Sequence, residues 1–318
     1  MTTTTAPAPA RIGGTRRQRP GDRWFSGTAL AAGVMIVVTL AAVAIFLIVQ
    51  SIPGLVADSR TASILSGSFW DYVWPLAFGT VWASVLALVL AVPLAVAVAL
   101  FISHYAPRRL AQTLGYVVDL LAAVPSVVYG LWGILVLAPA VQPVYAWLNT
   151  YVGWFPLFGG TVSSTGRTIF TAAIVLAVMI VPIITAICRE IFLQTPVLHE
   201  EAALALGATR WEMIRMAVFP FGRSGIISAS MLGLGRALGE TMAVAMVLSV
   251  SGKVTFELFT SENPGTIPAN IALTFPEAYG VNVNVLIATG LILFVVTFAV
   301  NAVARWIVSR RSEFSGAN

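Results

Sequence analysis

The sequence has one cysteine, Cys188, one lysine, Lys253, and two histidines, His104 and His199. A lone thiol excludes a disulfide scaffold, and two distant histidines give no ligand spacing for a resident metal. Charge is scarce as well: Asp, Glu, Lys and Arg make up 10% of the residues, against about 25% in soluble chains. No Gly-x-x-x-x-Gly-Lys-Ser/Thr run occurs, so ATP hydrolysis is not expected of this chain. No Ser/His/Asp or paired-His constellation sits at the level of its apolar runs, which argues against a membrane protease or lipid transferase.

What the sequence has in abundance is apolar surface. Hydrophobic residues make up 58% of 318 positions, and mean hydropathy is +0.90. There is too little polar surface for water, so the solvent is lipid. About 20 apolar residues cross a hydrocarbon core, and charge-free windows place six spans near 27–50, 73–103, 110–140, 168–188, 224–250 and 283–307. Pro93, Pro125 and Pro182 fall inside spans, where neighbouring helices and water re-satisfy the freed backbone groups. Of the eighteen basic residues, fourteen fall in segments that share one side if the N-terminus is inside. The expectation is six spans in the cell membrane with both termini cytoplasmic. Residues 1–22 read as a disordered tail without apolar periodicity, 23–311 as the membrane domain, and 312–318 as a second tail. The first apolar run exceeds the roughly 7–15 residues of a signal peptide, so an uncleaved helix is expected.

The connection from Arg189 to Arg223 is patterned. Pro196 suits a first helical turn, Glu200 and Glu201 lie near its positive end, and Gly207 is a C-cap residue. Thr209 and Glu212 have capping-box spacing, and Pro220 marks a break before the fifth span. Two short helices with a bend at Gly207 would project Trp211 and Ile214 on one face. Two readings stand: anchors for a partner's groove, or an amphipathic segment lying on the membrane.

The fifth span carries Arg236 and Glu240, four apart and so on one face of a continuous helix. A charge at a helix centre costs about 2.5–3.5 kcal/mol, so both are expected to face the bundle interior or a wet path. They either neutralise each other or meet an anion crossing the membrane. An ion-coupled transporter would show broken helices in matching positions of two halves, which the sequence does not display. Asp119 reads as an interfacial carboxylate or an interhelical hydrogen-bond partner, with a role in the substrate path as the alternative, and Trp70, Trp74, Trp154 and Trp306 as a membrane belt.

Glu201-Ala202-Ala203, Gly207 and Ala217-Val218-Phe219-Pro220 resemble the EAA loop of ABC-importer permeases, although Phe219 replaces the usual leucine before the proline. Met231-Leu-Gly-Leu-Gly-Arg-Ala-Leu-Gly-Glu-Thr-Met-Ala-Val244 and Asp119-Leu-Leu-Ala-Ala-Val-Pro-Ser-Val-Val-Tyr-Gly-Leu-Trp-Gly133 are similar to permeases of the phosphate-specific (Pst) importers, of the PstC type. The resemblance implies an all-α integral membrane protein with the type I ABC importer permease fold and a cytoplasmic coupling-helix loop over 196–220. It implies a non-enzymatic subunit in an inorganic phosphate importer, beside a PstA-type permease, a PstB-type ATPase pair holding ATP and magnesium, and a PstS-type binding protein. By the same resemblance Arg236 and Glu240 belong to the substrate path, while Glu201, Ala202, Ala203, Gly207, Trp211, Ile214 and Pro220 belong to the ATPase-coupling loop. Molybdate, sulfate or phosphonate would satisfy one arginine equally well.

Overall fold

Apolar composition makes helices the economical answer in lipid, because each helix satisfies its own backbone. The computed structural model describes residues 20–309; the expected tail 312–318 and residues 1–19 of the expected tail 1–22 lie outside the described residues, while residues 20–22, expected to be disordered, begin the first helix. Among the described residues no strand forms, only three isolated bridges. The helices are α1 (Pro20–Leu55), α2 (Phe69–Leu100), α3 (Arg108–Ala122), α4 (Ser126–Trp132), α5 (Ala138–Val152) and α6 (Ile169–Leu193). They continue as α7 (Val197–Ala205), α8 (Arg210–Met213), α9 (Phe219–Leu238), α10 (Met242–Val247), α11 (Ile267–Thr274) and α12 (Val281–Ser309). Six stretches among the described residues are long and apolar enough to cross a membrane.

The chain divides into a unit ending at Val49 and a unit from Gln50 onward. The first unit is α1 up to that point, apolar on every face from Leu30 to Val49, which is the pattern of a helix solvated by lipid rather than by water.

In the second unit α2 packs along α6 through a stripe of small residues. Ala83, Ala87, Ala91, Ala95 and Ala99 recur every fourth position and are all buried. Such a stripe lets two backbones approach closely in a bilayer; Thr185 Oγ1 reaches the Ala95 carbonyl at 3.3 Å. The deeper hydroxyls of α2 bond within their own helix, Thr80 to the Leu76 carbonyl at 2.6 Å and Ser84 to the Thr80 carbonyl at 2.7 Å. Thr80 Oγ1 also accepts from the Ile267 N–H at 2.9 Å, which fixes the start of α11.

Helix α6 serves as a depth ruler, since its 25 residues span about 37 Å at 1.5 Å each. Gly115 meets Arg189 near one end of it, Gly133 meets Val175, and Ala138 meets Gly166 just before its start. The chain therefore traverses that depth between residues 115 and 138. The expected single helix over 110–140 is two pieces: α3, then, after a break at Ala123–Pro125, α4 running through a π turn at Gly133–Leu137 into α5. Most of α5 lies past the start of α6, where Gln142 Nε2 donates to the Ser164 carbonyl at 2.7 Å.

The fifth span also departs from expectation. Pro220 does not break the chain: the path from Arg210 to Leu238 is helical throughout. A π turn at Ile214–Val218 precedes Phe219-Pro220. Its wider hydrogen-bond ring re-routes the carbonyl that a proline would otherwise strand and strike. The helix then stops at Leu238, well short of the expected Val250.

Candidate functional site

Two places gather the residues that the sequence singles out. The first is the stop after α9. Gly222 packs on Phe192, Gly225 on Ile191, and Gly233 on Ile184 and Ile180. Arg236, three residues further on, is therefore level with the middle of α6. Gly239 is the C-cap of α9, and Glu240 and Thr241 form a gap before the short α10.

The gap corrects the expectation that Arg236 and Glu240 share a helix face and pair. The i, i+4 relation needs a continuous helix, and this one ends between them. Among the described residues the ion pairs are His104–Glu200 and Lys253–Glu262. Glu240, only 9% exposed, instead turns to the next helix, where its Oε1 accepts from the Ala243 N–H at 3.1 Å. A carboxylate at a helix start satisfies an orphan donor and faces the positive end of the helix dipole. Arg236 keeps an exposed guanidinium in the last turn of α9, where the carbonyl end favours a cation. Its charge interacts with the Tyr129 phenol.

Tyr129 was not legible as a site residue. It belongs to α4, which follows the other break, and its hydroxyl donates to the Leu121 carbonyl across that break at 2.9 Å. The two interrupted helices lie side by side. Gly130 is in close contact with Ala243, and Gly133 fits between Val175 and Val247, where a β-carbon would come within 2.7 Å of both valines. The far end of α10 is also held: Arg167 Nη2 donates to the Met246 carbonyl at 3.1 Å and reaches the Leu248 carbonyl at 3.5 Å. Beside it Asn263, fully buried, accepts from the Ile169 N–H at 3.0 Å and donates to the Ser249 and Thr260 carbonyls at 3.0 Å. Arg167 and Asn263 lie in the polar stretches Ser163–Thr168 and Thr260–Gly265, where nothing in the sequence sets them apart from their neighbours.

The second place is the elbow formed by α7 and α8. Gly207 has φ +84°, a left-handed conformation that costs other L-residues but not glycine. Around it the Ala208 N–H donates to the Ala203 carbonyl at 3.2 Å and the Gly207 N–H to the Leu204 carbonyl at 3.0 Å, which is a Schellman closure. Thr209 then caps α8. Its N–H donates to Glu212 Oε2 at 2.8 Å while its Oγ1 accepts from the Glu212 N–H at 3.3 Å, the reciprocal box that the spacing implies.

Side-chain directions differ from the expected common face. Trp211 is 55% exposed and meets Phe219 edge-on at 6.2 Å, but Ile214 is fully buried in the core. Glu201 and Ala202 are exposed, and Ala203 is half-buried. Pro220 is exposed at the start of α9. Sequence reasoning missed the larger apolar exposure: Val197, Leu198 and Leu206 are uncovered, the last 90% exposed. Glu200 tethers the elbow inward, its Oε1 lying 3.4 Å from His104 Nε2 at the end of the second span. His104 Nδ1 is 2.7 Å from Ser103 Oγ.

Comparison with known proteins follows the same lines. The family model described as "binding-protein-dependent transport system inner membrane component" matches residues 87–313. "Phosphate transport system permease protein PstC 2" of Mycobacterium tuberculosis is 48% identical over 303 residues, 91% of this chain and 92% of the relative. The protein named PstC in Mycobacterium leprae is 45% identical, covering 96% of this chain and 98% of its own length. The one in Mesorhizobium japonicum is 38% identical, at 95% and 94%. Among solved structures, a chain of the inward-facing MetNI methionine ABC transporter aligns with TM-score 0.47 at 18% identity, over 74% of this chain and 94% of that one. The chain therefore belongs to the binding-protein-dependent transport system inner membrane component family, alongside permeases named PstC.

Proposed function

We propose that this chain is the membrane permease subunit of an ATP-driven importer of inorganic phosphate, with both termini in the cytoplasm. The names of its relatives support the substrate, and the fourteen basic residues assigned to one side support the orientation. The observation that carries the path is Arg236, a guanidinium without an ion-pair partner among the described residues, at mid-depth beside a helix break. A single charge at that depth costs about 2.5–3.5 kcal/mol, so a multiply charged anion needs a compensating cation there. Glu240 contributes by holding the start of α10 rather than by neutralising Arg236.

The uncovered aliphatic residues of the elbow suit a groove on a cytoplasmic ATPase, and the exposed face around Arg236 suits a second permease. These partners correspond to the PstB and PstA types, with a PstS-type binding protein at the opposite membrane face. ATP and magnesium belong to the ATPase. In this scheme ATP binding closes the ATPase pair and displaces α7 and α8. The path then opens outward to receive the anion from its binding protein, and hydrolysis restores the inward-facing state. Glu201, Ala202, Ala203, Gly207, Trp211 and Pro220 shape or line the docking elbow, and Ile214 anchors it in the core.

The test is radiolabelled phosphate uptake in cells lacking their own phosphate systems, with the chain co-expressed with its partners. Uptake should require the ATPase, resist excess sulfate and molybdate, and disappear in Arg236→Gln while the complex still co-purifies. Uptake without the ATPase would overturn the class, competition by sulfate or molybdate the substrate, and normal transport by Arg236→Gln the path.

A further inference from the structure

A cavity beside the end of α6 is used by neither the helix break nor the elbow. It occupies about 490 Å³, and its polar lining includes Arg108, Gln112 and Asp119 from α3 and Arg189 from α6. Arg189 is one turn from the end of α6 at Leu193. Its Nε is buried without a hydrogen-bond partner among the described residues. Neither arginine is within ion-pair distance of a carboxylate among those residues, Asp119 included. The Arg189 guanidinium fits there because position 115 has no side chain: a β-carbon on Gly115 would collide with Nη1. Tyr116, which also lines the cavity, begins an exposed apolar strip on α3 that runs on through Val117, Leu120 and Leu121.

Two guanidinium groups with an open cavity between them match the oxygens of a phosphate, which arginine recognises through paired N–H donors. Basic pockets between helices at the interface take phosphate headgroups. We propose that this cavity binds a phosphate-bearing anion, with the phosphodiester of an anionic phospholipid and free inorganic phosphate as the two sources of that chemistry. The bound oxygens accept from the guanidinium groups of Arg108 and Arg189 that line the cavity and bridge α3 to α6. The argument does not rest on what the protein transports.

The experiment uses the full chain purified with its partner subunits. In one arm it is placed in nanodiscs of phosphatidylcholine with phosphatidylglycerol, and retained lipid is measured by native mass spectrometry. In the other arm the nanodiscs contain phosphatidylcholine alone, and binding of radiolabelled inorganic phosphate is measured without the binding protein. Retention of phosphatidylglycerol, or binding of phosphate, should fall about fivefold for each arginine removed in Arg108→Gln and Arg108→Gln/Arg189→Gln. The arm in which it falls identifies the source. Gly115→Ala keeps both charges but displaces Arg189, and should weaken the same arm. Arg108→Gln alone, at an exposed position, guards against misfolding of the double variant. Equal retention and equal phosphate binding in all these variants would overturn the proposal. So would an Arg109→Gln loss as large as that of Arg108→Gln, because Arg109 is outside the cavity and only diffuse surface charge would then be at work.

Discussion

Replacing Gly207 with alanine isolates the backbone cost of the elbow. Nothing lies within 4 Å of where the new methyl group would sit, so no steric collision enters. The whole effect comes from φ +84°, which costs an L-residue about 1–2 kcal/mol. That penalty acts against the two hydrogen bonds closing the turn, from Gly207 to Leu204 at 3.0 Å and from Ala208 to Ala203 at 3.2 Å. One to two kcal/mol is a factor of about 5–30 in a local opening equilibrium. Hydrogen exchange on the purified complex should therefore show the amides of positions 207 and 208 exchanging about 5–30 times faster in Gly207→Ala. Gly207→Asn should fall between alanine and the parent, because asparagine tolerates the left-handed region. ATP hydrolysis stimulated by loaded binding protein should weaken in the same order. Equal protection in all three proteins would refute the claim that the positive φ is what makes glycine necessary there.

Other perturbations separate the remaining roles. Glu240→Gln keeps an oxygen for the Ala243 N–H and should preserve thermal stability in nanodiscs, whereas Glu240→Ala should cost about 1–2 kcal/mol; equal losses would mean that charge, not capping, matters. Ala91→Leu forces a larger side chain between α2 and α6 and should destabilise by about 1–3 kcal/mol, while Leu94→Ala on the exposed face should leave the melting temperature nearly unchanged. Leu206→Asp should leave the chain folded and abolish co-purification of the ATPase; retained ATPase would place the docking contact elsewhere.

The elbow was legible because its signals are local. A capping box, a C-cap glycine and a proline at a helix start are read within a few residues, and each acts through bonds of that same range. The direction of Ile214 was not legible, since whether an aliphatic points to a core or a partner depends on the neighbours that the fold supplies. Membrane spans were visible as apolar runs, but hydropathy is blind to breaks within them. The interruptions at Ala123–Pro125 and at Gly239 leave the apolar run intact while ending the helix. Arg236 and Glu240 stood out as charges within an apolar run. Their pairing was misread because the four-residue rule presumes the helix that Gly239 terminates. Pro220 was misread for the converse reason, as a π turn repaired the break that a proline ordinarily makes.

The unbroken helical path from Arg210 to Leu238 joins the two functional places mechanically. Trp211 and Arg236 are 25 positions apart on it, about 37 Å at the helical rise. They lie near opposite ends of a single rod that α6 grips from Gly222 to Gly233. A push on Trp211 would be carried along this rod toward Arg236, and the helix stop at Gly239 separates it from α10. The segment beyond the gap is held separately, by Arg167 on the Met246 and Leu248 carbonyls, so the two sides of the gap are anchored to different neighbours.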